Sequence, residues 1–248
     1  MIEFRNVHKT FGQQEILKGL SLKAETGQIT VIMGPSGVGK SVTLKLLLGL
    51  LQPDQGQIFV NGEETSHLNE KRMNTIRRNF GMLFQDAALF DSMNVFENVA
   101  FPLREHTELM DSDIAQKVRI GLKEVGLENI DQKLPSELSG GMRKRVGLAR
   151  AIMLAPQIIL FDEPTTGLDP ISTAQIGDLV LDMQRARNCT VLLISHDLAL
   201  TYRIADYVGM LYKGNIVEFC EPKDLKKSKH PFVKEFLDAQ FNLEGRPR

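Results

Sequence analysis

The string GPSGVGKS, Gly34 to Ser41, constrains the architecture of this chain more than any other stretch. It stands between a β-rich apolar run, Gln28 to Met33, and a leucine-rich segment, Ser41 to Leu51, that reads as a helix. A strand that ends in a glycine loop and continues as a helix is the opening unit of a wrapped parallel sheet. Gly34, Gly37 and Gly39 let main-chain N–H groups turn toward an anion, a geometry that side chains at those positions would obstruct. Lys40 adds a point charge suited to β- and γ-phosphates, and Ser41 adds a hydroxyl suited to magnesium. The positive end of the helix faces the same anion.

Two further short apolar runs, Ile158 to Phe161 and Thr190 to Ile194, have the length and branching of buried strands, and both end in polar residues. In open α/β sheets ligands sit at such carboxyl ends. Ile2 to Phe11, and Gln57 to Val60 followed by Asn61-Gly62, read instead as half-exposed antiparallel strands forming a small β-layer. From Met93 to Ala155 helix formers dominate, punctuated by Pro102 and Pro135, which suggests a helical insertion. Near the end Phe232, Phe236 and Leu237 are spaced for a short last helix, and the final EGRPR is expected to fray.

Composition excludes several classes. The 248 residues carry a net charge of only -1, so no global field draws in nucleic acid. Cys189 and Cys220 fit neither a zinc spacing nor a disulfide scaffold and read as reduced thiols. No apolar run approaches the ~20 residues needed to cross a bilayer, and charges interrupt MIEFRNVHKTF too early for a signal peptide. Any membrane connection is therefore expected to run through a partner.

IILFDEP places Asp162 at a strand exit to hold magnesium and Glu163 beside it to polarise an attacking water. His196, after Ser195, stands where it can stabilise charge developing on a γ-phosphate; Ser195, His196 and Asp197 are adjacent and cannot form a protease relay. In LSGGM, Ser139, Gly140 and Gly141 precede a helix from Arg143 to Ala151, giving a second helix start with bare backbone donors. One chain thus has two anion-binding helix starts and one evident ATP. The economical arrangement is a head-to-tail pair in which this start covers the γ-phosphate held by the partner copy. Arg143, Lys144 and Arg145 follow at once; at least two of them are expected to radiate into solvent or pair with acids.

These motifs, in this order, resemble the ATP-binding-cassette family over nearly the whole chain. The resemblance implies an α/β fold, a P-loop NTPase RecA-like core with a small antiparallel β-subdomain and an inserted helical subdomain. It implies residues 1–84 and 156–223 for the core, 85–155 for the helical (signature) subdomain, and 224–248 for a short C-terminal helix and tail. The nucleotide-binding stretch becomes Gly34, Pro35, Ser36, Gly37, Val38, Gly39, Lys40, Ser41 and Val42, with Phe11 where the family stacks an aromatic on adenine. Gln85, in LFQ, would contact magnesium and the water and transmit domain motion, so that Glu163, His196 and Gln85 form the catalytic set and Ser41, Gln85 and Asp162 the metal set. Asp169 belongs to the D-loop, and Ser139, Gly140 and Gly141 act in trans. ATP and Mg2+ are the implied cofactors.

Within the family, Phe84 to Leu109, and above all ALFDSMNVFENVAFPLREHT, resembles the ATPases that serve MCE-domain phospholipid transporters of the Mla type. That implies an integral-membrane permease, an MCE-domain lipid-binding subunit and a small STAS-type regulator as partners beside the second copy, no nucleic acid, and a peripheral place on the cytoplasmic face of the bacterial inner membrane. Met142 stands where many family members carry glutamine, TTGLDP is of the general importer type, and little chain follows Leu237 to form a C-terminal arm. An importer ATPase for another small molecule and a soluble ATP-gated switch are the other readings of the same motifs.

Overall fold

The computed structural model describes residues 1–244, with side chains through Gln240. Two compact units emerge, Met1–Met73 with the chain from Thr190 onward, and Asn74–Cys189.

The first unit opens with β1 (Ile2–Phe11), β2 (Gln14–Ala24), β3 (Ile29–Met33), α1 (Lys40–Leu47), β4 (Gln55–Val60) and β5 (Glu63–Glu64); α2 (Glu70–Arg77) follows, and the division between the units falls after its Met73. β2, β1, β4 and β5 form an antiparallel sheet in that order. Ile2 and Phe4 alternate inward on β1, and then Asn6, with φ 49°, shifts the phase so that Val7 also points in. Gly56 accommodates this bulge, since a Cβ there would lie 2.2 Å from the Asn6 carbonyl oxygen. Asn61 and Gly62, both at positive φ, make the two-residue turn from β4 to β5 that the Asn-Gly pair predicts.

The second unit contains β6 (Phe80–Leu83), α3 (Val95–His106), α4 (Asp111–Glu124), α5 (Gly140–Ile152), β7 (Ile158–Asp162) and α6 (Pro170–Arg187). β6 and β7 run parallel, with Phe80 opposite Ile158 and Leu83 opposite Phe161. α3, α4 and α5 pack on one another through Val99, Leu103, Val118, Leu122 and Val146. Pro102 lies inside α3 and does not punctuate it. The helix tolerates it because its start is held independently: Asn94 and Glu97 close a reciprocal capping box, and the Val95 and Phe96 N–H groups donate to the carbonyls of Lys133 and Asp131.

Asn98, fully buried on α3, secures the segment before the helix. Its Oδ1 accepts from the Phe90 N–H at 2.8 Å, and its Nδ2 lies within 3.0–3.1 Å of the carbonyls of Phe90, Met93 and Asn94. Asn98→Leu, which fills similar space but orphans these groups, should cost about 2–4 kcal/mol in urea unfolding. Hydrogen exchange should localise the loss to the Phe90 amide.

The chain then returns to the first unit with β8 (Thr190–Ser195), α7 (Leu198–Ile204), β9 (Tyr207–Tyr212), β10 (Asn215–Cys220) and α8 (Pro231–Glu244). β3 lies between β8 and β9, parallel to both, and all five of its residues are buried. β10 folds back on β9 through Lys213 and Gly214, at φ 48° and 85°. α8 docks by stacking Phe232 on Tyr212, at 3.9 Å between ring centroids, and by burying Val233 and Leu237. It is longer than the short helix expected from its three apolar residues, while residues 245–248 of the expected frayed end lie outside the described residues. Cys189 is buried and Cys220 half-buried, and neither is in a disulfide.

Candidate active site

In the first unit β3 delivers the chain into the loop Gly34 to Gly39, from which α1 departs. The loop can exist only with glycine at its hinge points. A Cβ on Gly34, whose φ is 153°, would stand 2.3 Å from the Leu211 carbonyl oxygen on β9; one on Gly39, at φ 109°, would meet Ile16 and Leu17 side chains of β2 at 2.9 Å. At Gly37, by contrast, a Cβ would meet nothing within 4 Å, so the backbone there borders open space. α1 has no acidic residue in its first turn and no side-chain cap, which leaves the positive helix end available to an anion. Lys40 is only 5% exposed, and its Nζ donates to the carbonyls of Gly34 at 2.8 Å and Pro35 at 2.9 Å. Ser36 and Ser41 are exposed, Pro35, Val38 and Val42 half-buried.

The same unit holds Phe11 and His196. Phe11 ends β1 with 45% of its surface exposed, and Lys9 Nζ lies 5.6 Å from its ring centroid. His196 follows β8 on an exposed turn whose shape is set by its neighbours. The Asp197 N–H donates to Ser195 Oγ, and Asp197 in turn caps α7 through the Leu200 N–H. Ser195 and Asp197 thus build the turn that presents the imidazole. From the last helix Gln240 Nε2 donates to the His196 carbonyl at 3.3 Å.

In the second unit β7 ends at Asp162, and Glu163 follows in the left-handed region at φ 48°, a conformation that costs a non-glycine residue about 1 kcal/mol. Thr166 Oγ1 donates to Glu163 Oε2 at 2.8 Å and holds that carboxylate in place. Asp169 caps α6 by accepting from the Ser172 N–H and hydroxyl, and these bonds keep its carboxyl below the usual range. Ser139 caps α5 through the Met142 N–H, so the signature string does start a helix, with no acid in its first turn. Gly140 and Gly141 leave room for a side chain: a Cβ on the first would be 3.7 Å from Leu168, on the second 3.9 Å from Ser172 Oγ, both ordinary contact distances. Gln85 is exposed just beyond β6.

Two cations of α5 take positions that the sequence did not assign to them. Of Arg143, Lys144 and Arg145 at least two were expected to radiate into solvent or pair with acids; Lys144 does neither, being 6% exposed with its Nζ donating to the Thr166 carbonyl at 2.6 Å. Burial pulls its ammonium below the usual lysine range, while Asp86 and Glu163 pull it back. Arg150, not singled out from sequence, donates to the carbonyls of Ala87 and Ala88, two left-handed residues just past Gln85. Arg143 donates to the Leu138 carbonyl at 2.7 Å, and Arg145 donates to Gln175 Oε1 at 2.7 Å and to the Val125 carbonyl at 3.3 Å. No pattern of side chains could have announced the bonds of Lys144 and Arg150, because their acceptors are backbone groups brought to α5 by the fold.

A glycine-hinged loop bordering open space, a buried cation and an uncapped helix start suit the phosphates of a nucleotide. The family described as ABC transporter matches residues 17–166. The chain belongs to the ABC transporter family. As an ABC ATPase it binds and hydrolyses ATP, and its fold is that of the ABC cassette. The chain is 44% identical over 239 residues to the "Probable ribonucleotide transport ATP-binding protein mkl" of Mycobacterium leprae, covering 96% of this chain and 69% of that protein. It is 42% identical over 239 residues to the "Intermembrane phospholipid transport system ATP-binding protein MlaF" of Escherichia coli K12, covering 96% of this chain and 89% of that one. Among solved structures, the cassette superposes with a TM-score of 0.83 on the dimeric post-hydrolysis state of the ATP-binding cassette MJ0796 bound to ADP and Pi. That pair is 29% identical, and the match covers 90% of this chain and 99% of the other.

Proposed function

We propose that this ABC ATPase drives a phospholipid transporter of the MCE type, which maintains lipid asymmetry of the outer membrane, from the cytoplasmic face of the bacterial inner membrane. One observation carries the cargo reading, the likeness to MlaF along 239 residues, which includes the distinctive segment from Phe84 to Leu109. In the second unit that segment lines a groove of about 620 Å³ whose walls include Phe84, Phe90, Phe101 and Pro102 together with Arg77 and Arg78. An amphipathic cytoplasmic helix of the permease, carrying acids on its polar side, suits this groove by shape and charge. Among the described residues no helix is long and apolar enough to cross a membrane, so attachment falls to that partner. Residues 1–84 and 156–223 serve as the core, 85–155 as the signature subdomain, and 224–248 as the C-terminal piece. An MCE-domain subunit and a small STAS-type regulator complete the assembly.

In this reading two copies pair head to tail around two ATP molecules. Each ATP lies on Gly34 to Val42 of one copy, with its adenine on Phe11, and under Ser139, Gly140 and Gly141 of the other. Ser41, Gln85 and Asp162, hard oxygen donors, suit Mg2+, which when bound neutralises phosphate charge. Glu163 takes the proton of the attacking water, His196 stabilises the γ-phosphate as charge develops, Gln85 orients the water, and Asp169 faces the partner. Closure pushes the membrane subunits, and hydrolysis releases the clamp.

A second reading keeps the engine and changes the cargo, since mkl, at 44% identity, is named a probable ribonucleotide transport protein. Purification of the tagged protein from native membranes in mild detergent separates the two. Recovery of a permease with an MCE-domain protein and bound phospholipid is the expected result. A permease without lipid discards the cargo reading, and soluble partners alone would favour an ATP-gated switch.

A further inference from the structure

The signature helix α5 and the loop that carries Glu163 are tied by a buried cation. Lys144 lies one helical turn beyond Gly140, on the same rigid element. Its ammonium donates to the Thr166 carbonyl at 2.6 Å, and the Thr166 hydroxyl donates to Glu163 Oε2 at 2.8 Å. The Thr166 N–H also reaches back to the Glu163 carbonyl at 3.3 Å, so both ends of the left-handed residue are tied to Thr166. A lysine that is 6% exposed is costly to keep unless its charge is used. Here it is spent on one carbonyl and on the field at Asp86 and Glu163.

We propose that Lys144 is a positioning residue for Glu163: through Thr166 it holds the carboxylate in the orientation that accepting a proton from water requires. The proposal rests on the reading of Glu163 as general base. Lys144 touches no phosphate in this scheme. The loop Glu163 to Thr166 is short and strained, so without the strut its carboxylate relaxes away from the productive angle, and misplacement on the ångström scale costs up to about 100-fold in rate.

The test compares kcat and KM for ATP in the full-length protein bearing Lys144→Met, Thr166→Val, Thr166→Ser, Glu163→Gln, and Glu163→Gln with Lys144→Met. Lys144→Met and Thr166→Val are expected to lower kcat about 10- to 100-fold while KM stays within about twofold. Thr166→Ser, which restores the hydroxyl, should recover most of the lost rate. On the Glu163→Gln background Lys144→Met should cost less than about twofold more, because the group it positions is already disabled. The proposal is overturned if Lys144→Met raises KM with kcat unchanged, or lowers Glu163→Gln turnover by the same factor as in the parent protein. Should Lys144→Met fail to fold, the Thr166 pair decides alone: equal rates for Val and Ser overturn it. A Glu163→Gln protein with normal turnover would instead remove the base reading beneath it, whatever Lys144 does.

Discussion

Glu163→Gln should retain ATP at close to parental affinity and lose about 10²- to 10⁴-fold in turnover, the range that general-base assistance supplies. The substitution is nearly isosteric, and its amide oxygen can still accept the Thr166 hydroxyl that now holds Oε2 at 2.8 Å. The left-handed backbone at φ 48° is equally available to glutamine, so the loop has no reason to rearrange. What disappears is the capacity to take a proton. The measurement is steady-state phosphate release at saturating ATP, beside nucleotide retention on the isolated protein. Turnover within a few-fold of the parent would show that the water is activated by another group and that Glu163 is only a loop residue.

Lys40→Ala should weaken ATP binding about 10- to 100-fold, the worth of a charge-assisted hydrogen bond of 1.5–3 kcal/mol. Lys40 is only 5% exposed and its ammonium now bridges the Gly34 and Pro35 carbonyls, so alanine also strips the loop of its internal strut. The substitution should therefore lower the melting temperature even without nucleotide. Titration calorimetry with ATP and a thermal melt read the two effects separately. An unchanged dissociation constant would exclude Lys40 from phosphate binding.

The phosphate loop was the most legible part of the fold because its constraint is local. A strand was expected over Gln28 to Met33 and β3 spans Ile29–Met33; a helix was expected from Ser41 to Leu51 and α1 spans Lys40–Leu47. The helix stops early where Gly49, at φ 65°, turns the chain out of it. β1 matched its expected limits, Ile2 to Phe11, although its bulge at Asn6 was invisible in the alternation. β9 and β10 went unread because their turn is Lys213-Gly214, a pair in which lysine occupies a left-handed position more usual for asparagine. β6, only four residues long, is too short for any period to register. At the candidate site, strand ends and helix starts could be read from the strings that mark them. The buried roles of Lys144 and Arg150 could not, since a basic residue looks the same in sequence whether water or a carbonyl receives it.

The docking of α8 gives the carboxyl end of this chain an unusual address. Phe232, Phe236 and Gln240 recur every fourth residue and so share one stripe of the helix; the first stacks on Tyr212, and the last reaches the main chain of His196. The amino end is moored elsewhere, its ammonium bonded to Thr26 and Asn61 in the turns that follow β2 and β4. Reporter groups are therefore not interchangeable between the two ends. A fluorophore at Met1 would watch the β-layer, whereas one grafted beside Gln240 would sit against the turn that carries His196.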